Sequence, residues 1–243
     1  MRSQHMTRAS LIALMSIAGP MPACAEDSHR LSIECFHGST PDQRIVSCSH
    51  LITSGHLDAA DLVAAFHNRG NAYDDKGQHE RAIDDYNHAL AIDPAAAGIY
   101  NDRGTANQAM ERYDVAIQNY TRALSLEPSH TLALNNRCFA RAVIGQAEQG
   151  LADCNESLRL RPGDAGARAA RGFAQAKLQQ YEAAIADYDV ALSIAPRDPY
   201  ALFGRGVAKR LRGDLPASNA DIAAAKSIKS DIAEDMEKLG LKP

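Results

Sequence analysis

Five cysteines and nine histidines are the side chains of this 243-residue sequence best suited to ligate a metal, attack a substrate or close a cross-link. Their spacing decides which of these chemistries is open. No H-E-x-x-H, C-x-x-C, G-x-S-x-G, P-loop or dinucleotide fingerprint occurs. The histidines are scattered, and His50 and His56 stand on either side of a Ser54-Gly55 break. Acidic pairs such as Asp74-Asp75 and Asp84-Asp85 are adjacent in sequence, so on a helix they do not face one another as a carboxylate pair would. No catalytic residue, metal site or cofactor is expected.

The elements that carry these residues follow from composition and repetition. With 45% hydrophobic and 23% charged residues the chain is rich enough in apolar groups to fold. A net charge of -4 disfavours a nucleic-acid partner. Only 5% of residues are aromatic and Trp is absent, which suits alanine-rich helix packing. Arg2 and Arg8, an apolar stretch over residues 9–19, Pro20, Pro22, and the small Ala23 and Ala25 read as a secretory signal peptide over 1–25. Its apolar part is too short to anchor in a bilayer, and no transmembrane segment is expected elsewhere. Its removal leaves 24 basic and 30 acidic residues, a net charge of -6. The mature protein is expected to be soluble and exported, periplasmic or secreted, with a bacterial envelope as the setting. The alternative is that Met21-Pro22-Ala23-Cys24, which resembles a lipobox, makes Cys24 a lipidated terminus.

Aligning the chain with itself reveals a period of 34 residues. Pro recurs at Pro94, Pro128, Pro162 and Pro196, and Arg at Arg69, Arg103, Arg137, Arg171 and Arg205. Beside each Arg stands Gly70, Gly104, Cys138, Gly172 or Gly206. Larger residues recur at Tyr86, Tyr120, Cys154, Tyr188 and Ile222. Each unit reads as two helices of about 13 residues, with turns at Lys76-Gly77-Gln78 and Leu211-Arg212-Gly213. Glycine permits the left-handed residue that ends a helix, and Pro at the unit boundary stops the second helix. Sixteen residues after each Arg stand Asp85, Asn119, Asp153, Asp187 and Asp221. A structural ladder of exposed Arg to Asp contacts is expected, each contributing at most about 1 kcal/mol. The functional alternative is a row of five guanidiniums that binds anions.

The pattern resembles the tetratricopeptide repeat (TPR) family, whose signature appears in the first unit as Phe66, Gly70, Tyr73, Ala82, Tyr86 and Pro94. The resemblance implies an all-α fold, a right-handed α-solenoid of tandem helix-turn-helix units. The units run over 63–96, 97–130, 131–164, 165–198 and 199–232, the last degenerate, with Ser230 in place of Pro. Residues 26–62 are expected to form a leader and one half-repeat helix containing Ile45, Cys48 and Leu51. Residues 230–243 should form a capping helix that begins on Ser230, with Ile232, Met236 and Leu239 facing the stack. Cys138 and Cys154 occupy family positions that face each other within a hairpin, so the resemblance implies a Cys138 to Cys154 disulfide. Cys35 and Cys48 then form the second pair.

The family also implies a concave groove lined by the first helices. Carried onto this chain, the lining includes Asn68, Asn71, Asn101, Asn135, Asn136, Phe139, Phe173, Tyr200 and Phe203, together with His67 and Val207. The amides could bond an extended peptide backbone and the aromatics could hold apolar side chains. His67 and Asn136 stand where chaperone-binding members carry Lys and Arg, so a carboxylate clamp is not expected. The implied function is a non-enzymatic exported scaffold that binds a protein or peptide partner, with no small-molecule substrate. The alternative is a structural or accessory subunit of an envelope assembly.

Overall fold

The computed structural model describes residues 23–242. Among the described residues the helices are α1 (Ala23–His37), α2 (Pro41–Ser54), α3 (Ala59–Asp75), α4 (His79–Ile92), α5 (Ala97–Ala109), α6 (Tyr113–Leu126) and α7 (Thr131–Val143). They continue as α8 (Ala147–Leu160), α9 (Ala165–Lys177), α10 (Tyr181–Ile194), α11 (Pro199–Arg212), α12 (Leu215–Ile228) and α13 (Ile232–Lys238). The expected signal peptide falls outside the described residues, apart from the three that open α1.

Each odd-numbered helix from α1 to α11 packs as a hairpin with the helix that follows it. First helices also touch the first helices of the next unit, as in α7 with α9 and α9 with α11, whereas second helices of successive units make no such contact. The stack therefore closes on the side of the first helices and opens on the side of the second. This curvature makes α3, α5, α7, α9 and α11 the inner face.

The sequence explains the hairpins locally. Gly70 and Gly104 lie against the rings of Tyr86 and Tyr120, where an added Cβ would stand 2.7 and 2.6 Å from ring carbon. Helix pairs cannot approach this closely with any larger residue at those positions. Tyr86, Tyr120 and Tyr188 are almost wholly buried, and burial raises all three hydroxyl pKa values far above the usual tyrosine range. The turn after each first helix holds one left-handed residue: Gly77, Glu111, Gly145, Gln179 and Gly213 in the five units. Pro94, Pro128, Pro162 and Pro196 each follow the C-cap residue of a second helix.

Three expectations are corrected. The N-terminal segment is not a half-repeat, because α1 supplies α2 with a partner helix, and Leu31, Cys35 and Phe36 of α1 pack with Cys48 and Leu51 of α2. The final helix begins after Asp231 rather than Ser230, which lies in the preceding turn, and Asp231 makes no side-chain cap. The Arg to Asp contacts are not exposed, since Asp85, Asp153, Asp187 and Asp221 are buried.

That ladder binds the array along its length. Arg69, Arg137, Arg171 and Arg205 each donate through Nε and Nη2 to both carboxylate oxygens of the Asp sixteen residues on, at 2.6–2.9 Å. Their Nη1 groups reach back to the preceding second helix, to Ser49, Thr121, Asn155 and Asp189. Each arginine thus joins its own hairpin to the one before. Asp153, Asp187 and Asp221 take a second cation, from Arg141, Arg168 and Lys209.

Candidate functional site

The inner face divides at the third unit. In the first two units its polar groups are spent on one another. His67 Nε2 lies 2.7 Å from Asp102 Oδ2, Asn136 Nδ2 donates to Asn101 Oδ1 at 3.1 Å, and Tyr86 OH donates to Asn71 Oδ1 at 2.7 Å. Asn68 donates to the Ala64 carbonyl of its own helix. The amides of Asn68, Asn71 and Asn101 are therefore internal fasteners and not a free row for a peptide backbone. Arg44 and Lys76 close ion pairs with Asp75 and Asp42 at the same end.

From Asn135 onward the character changes. A cleft of about 460 Å³ opens between α7, α9 and the C-terminal helix, lined by Asn135, Asn136, Phe139, Phe173, Tyr188 and Tyr200, among others. The rings of Phe139 and Phe173 bridge α7 and α9 with centroids 5.1 Å apart. Asn135 is 8% exposed, and its Oδ1 has no hydrogen-bond partner. Tyr188 OH is likewise buried and unpaired. The equivalent hydroxyls of Tyr86 and Tyr120 have partners, Asn71 and Gln108. An apolar cleft that keeps one acceptor and one hydroxyl unsatisfied is a place where a ligand would supply the missing bonds.

Five of the nine expected groove residues meet here: Asn135, Asn136, Phe139, Phe173 and Tyr200. Phe203 does not, and neither does Val207. Both are fully buried in a cluster with Ile232 and Met236 of α13, which lies against α11 and covers that part of the inner face. Tyr188, Met236 and Leu239 line the cleft without having been expected there. Met236 lies on α13 and Leu239 is its C-cap residue. Tyr188 lines the cleft together with Ala169 and Ala170.

The tail completes the rim. Lys177 Nζ donates to the carbonyls of Leu239 and Gly240 at 3.2 and 3.4 Å, and Tyr200 OH donates to Asp235 at 3.1 Å. Burial and then Asp235 raise the Tyr200 hydroxyl pKa. Elsewhere, Cys35 is joined to Cys48 and Cys138 to Cys154 by disulfides.

Stacked helical hairpins at a 34-residue period, with an inner face that narrows to one apolar cleft, define an α-solenoid. Models of the tetratricopeptide repeat match residues 63–95, 97–130 and 165–198, and the chain is a member of the tetratricopeptide repeat family. Among solved structures it is similar to a tetratricopeptide repeat protein from Parabacteroides merdae, with 17% identity over 89% of this chain and 90% of that one and a TM-score of 0.70. Pseudomonas aeruginosa pilF aligns with 16% identity over 88% of this chain and 97% of its own, at a TM-score of 0.66. YrrB, described as a TPR protein with an unusual peptide-binding site, aligns at 20% identity over 79% of this chain and 97% of its own, with a TM-score of 0.55. At these identities the likeness is one of fold. No curated protein matches the chain.

Proposed function

We propose that the protein is a non-enzymatic scaffold that holds an extended segment of a partner protein in the cleft between α7, α9 and α13. The observation that carries this reading is the pairing of an apolar floor, Phe139 and Phe173, with the unsatisfied Asn135 Oδ1 and Tyr188 OH. An apolar side chain of the partner would sit on the rings. A main-chain N-H beside it would donate to Asn135, and a carbonyl would accept from Tyr188. The neighbour whose description names a peptide-binding site supports the same use of the fold. The basic and apolar N-terminal segment and the two disulfides support an exported setting, periplasmic or secreted.

The test is selection of peptides from a displayed random library against wild-type protein and two variants. Phe139→Ser removes half of the aromatic floor, and Ala169→Glu places a charge in the cleft. Both positions are only partly buried, so the fold should survive. Enriched apolar peptides that lose at least about tenfold in affinity for both variants, with unchanged far-UV dichroism, support the reading. Equal capture by all three proteins would overturn it.

A further inference from the structure

The second unit breaks the ladder, and it does so beside a second cleft. Asn119 stands where the other four units carry aspartate, so Arg103 Nε bonds a neutral amide oxygen at 2.7 Å and Nη1 bonds another, Asn87 Oδ1, at 2.6 Å. Its Nη2, which in every other unit donates to the carboxylate, has no hydrogen bond, and no carboxylate pairs with Arg103 among the described residues. The guanidinium is half-buried all the same. Burial lowers its pKa, whereas bonds to aspartate raise those of Arg69, Arg171 and Arg205.

A second cation stands close by. Arg122 of α6 is exposed, has no ion pair among the described residues, and lies 5.7 Å from the centroid of the Tyr100 ring, while Arg103 lies 5.2 Å from the same ring. Arg103, Arg122, Tyr100, Asn87 and Asn107 line a cleft of about 400 Å³ that includes no acidic side chain. Tyr100, Arg103 and Asn107 form a stripe of α5 separate from Asn101, Thr105 and Gln108, so this cleft is distinct from the inner-face site.

We propose that the Arg103 cleft binds one oxyanion, a carboxylate or a phosphoryl group, beside Asn119, where it supplies the charge that aspartate gives in the other units. Arg103 Nη2 and the Arg122 guanidinium donate to it, and the Asn87 and Asn107 amides border it. The charge argument is direct. A half-buried guanidinium bonded only to neutral amides keeps its positive potential, and the fold already shows what satisfies it, because four sister positions hold a carboxylate against the same Nε and Nη2 edge. Asn119 cannot supply that charge, since its amide is neutral; its Oδ1 accepts from Arg103 Nε and its Nδ2 donates to the Val115 carbonyl.

The experiment follows the Nε-H resonance of Arg103 by NMR in the full protein. Inorganic phosphate and acetate are titrated separately, with chloride holding ionic strength constant. The decisive variant is Asn119→Asp, which restores the ladder carboxylate while leaving Arg103 and the fold in place. Saturable shifts with phosphate, acetate or both are expected in wild type, and the responding anion identifies the source as phosphoryl or carboxylate. Affinity should fall by at least about tenfold in Asn119→Asp and fall also in Arg122→Ala, whose side chain is exposed and contributes little to folding. Absence of a saturable response to either anion overturns the proposal, as does an equal response in Asn119→Asp.

Discussion

Cys138 and Cys154 join the two helices of the third unit at the point where the first, second and fourth units set glycine against a tyrosine ring. The equivalent contacts are Gly70 with Tyr86, Gly104 with Tyr120 and Gly172 with Tyr188, all sixteen residues apart. A covalent bond has taken the place of a packing contact. Both sulfurs are fully buried.

The bond is expected to stabilise by roughly 3 kcal/mol, as closure of a loop of about 15 residues does in the chain-entropy model. Cys138→Ala with Cys154→Ala should lower the unfolding midpoint accordingly. Cys138→Gly with Cys154→Tyr, which restores the arrangement of the first, second and fourth units, should recover part of the loss. Intact mass after alkylation under native conditions checks the bonds themselves: labelling of Cys35, Cys48, Cys138 and Cys154 without prior reduction would contradict both pairings.

Glu111 and Gln179 hold φ of 59° and 60°, where the other three units place glycine. A side chain in this left-handed region costs of order 1–2 kcal/mol, offset partly by the greater freedom that glycine has in the unfolded chain. Glu111→Gly and Gln179→Gly should each stabilise by about 0.5–1 kcal/mol. Gly213→Ala should act in the opposite sense, because its surroundings are open and only the backbone is strained. Chemical denaturation of the three variants decides the matter. A loss of stability in both glycine variants would show that the side chains make compensating contacts.

The hairpins and the arginine ladder were legible because each depends on residues at one fixed offset. Arg69 and Asp85 reveal their contact in sequence since every unit repeats it. The backward reach of the ladder was legible too, and was missed: Asn87, Thr121, Asn155 and Asp189 recur at the same period. The groove was only half legible. Phe173 and Phe203 look alike in sequence, yet α13 covers one and leaves the other at the cleft. Asn101 and Asn135 look alike as well, and the first has Asn136 as its partner while the carbonyl oxygen of the second has none. Such outcomes depend on what the next helix brings, which no single repeat contains. Helix α1 was obscured for another reason, because it runs across the expected cleavage point at Ala25.

Asp187 faces Arg168 and Arg171 from a buried position. Removing the carboxylate leaves two guanidiniums without their counter-charge. Asp187→Ala is therefore expected to destabilise by about 3–5 kcal/mol, well above the value for an exposed pair. A cost below about 1 kcal/mol in urea unfolding would show that solvent replaces the carboxylate.

The same ladder sets an acid limit. Burial acts to raise the Asp221 pKa, but bonds from Arg205 and Lys209 outweigh it and leave the group below its ordinary value. A carboxylate with a depressed folded pKa contributes stability that is complete above its unfolded pKa and is lost as pH falls through the folded one. The contribution of Asp221 should thus fade below about pH 4. Stability measured against pH should show a steeper acid limb in wild type than in Asp221→Asn, which is less stable at neutral pH but has no such proton to gain. Superimposable acid limbs would assign the loss to other groups.

The cleft owes its C-terminal wall to a few residues. Leu241 is 4% exposed although it lies two residues from the end of the chain, and the tail is fastened by the two bonds from Lys177. In a solenoid each element is held mainly by its neighbours, and among the described residues α13 packs on α11 and α12. Leu241→Asp should release the tail and, with it, the support for Met236 and Leu239 at the cleft rim. Amide exchange in α13 is expected to rise by at least about tenfold, with a smaller rise in α11 and none in α3 to α6. Unchanged exchange in α13 would mean that Ile232 and Met236 hold the helix alone, and that the Lys177 bonds contribute nothing to the wall.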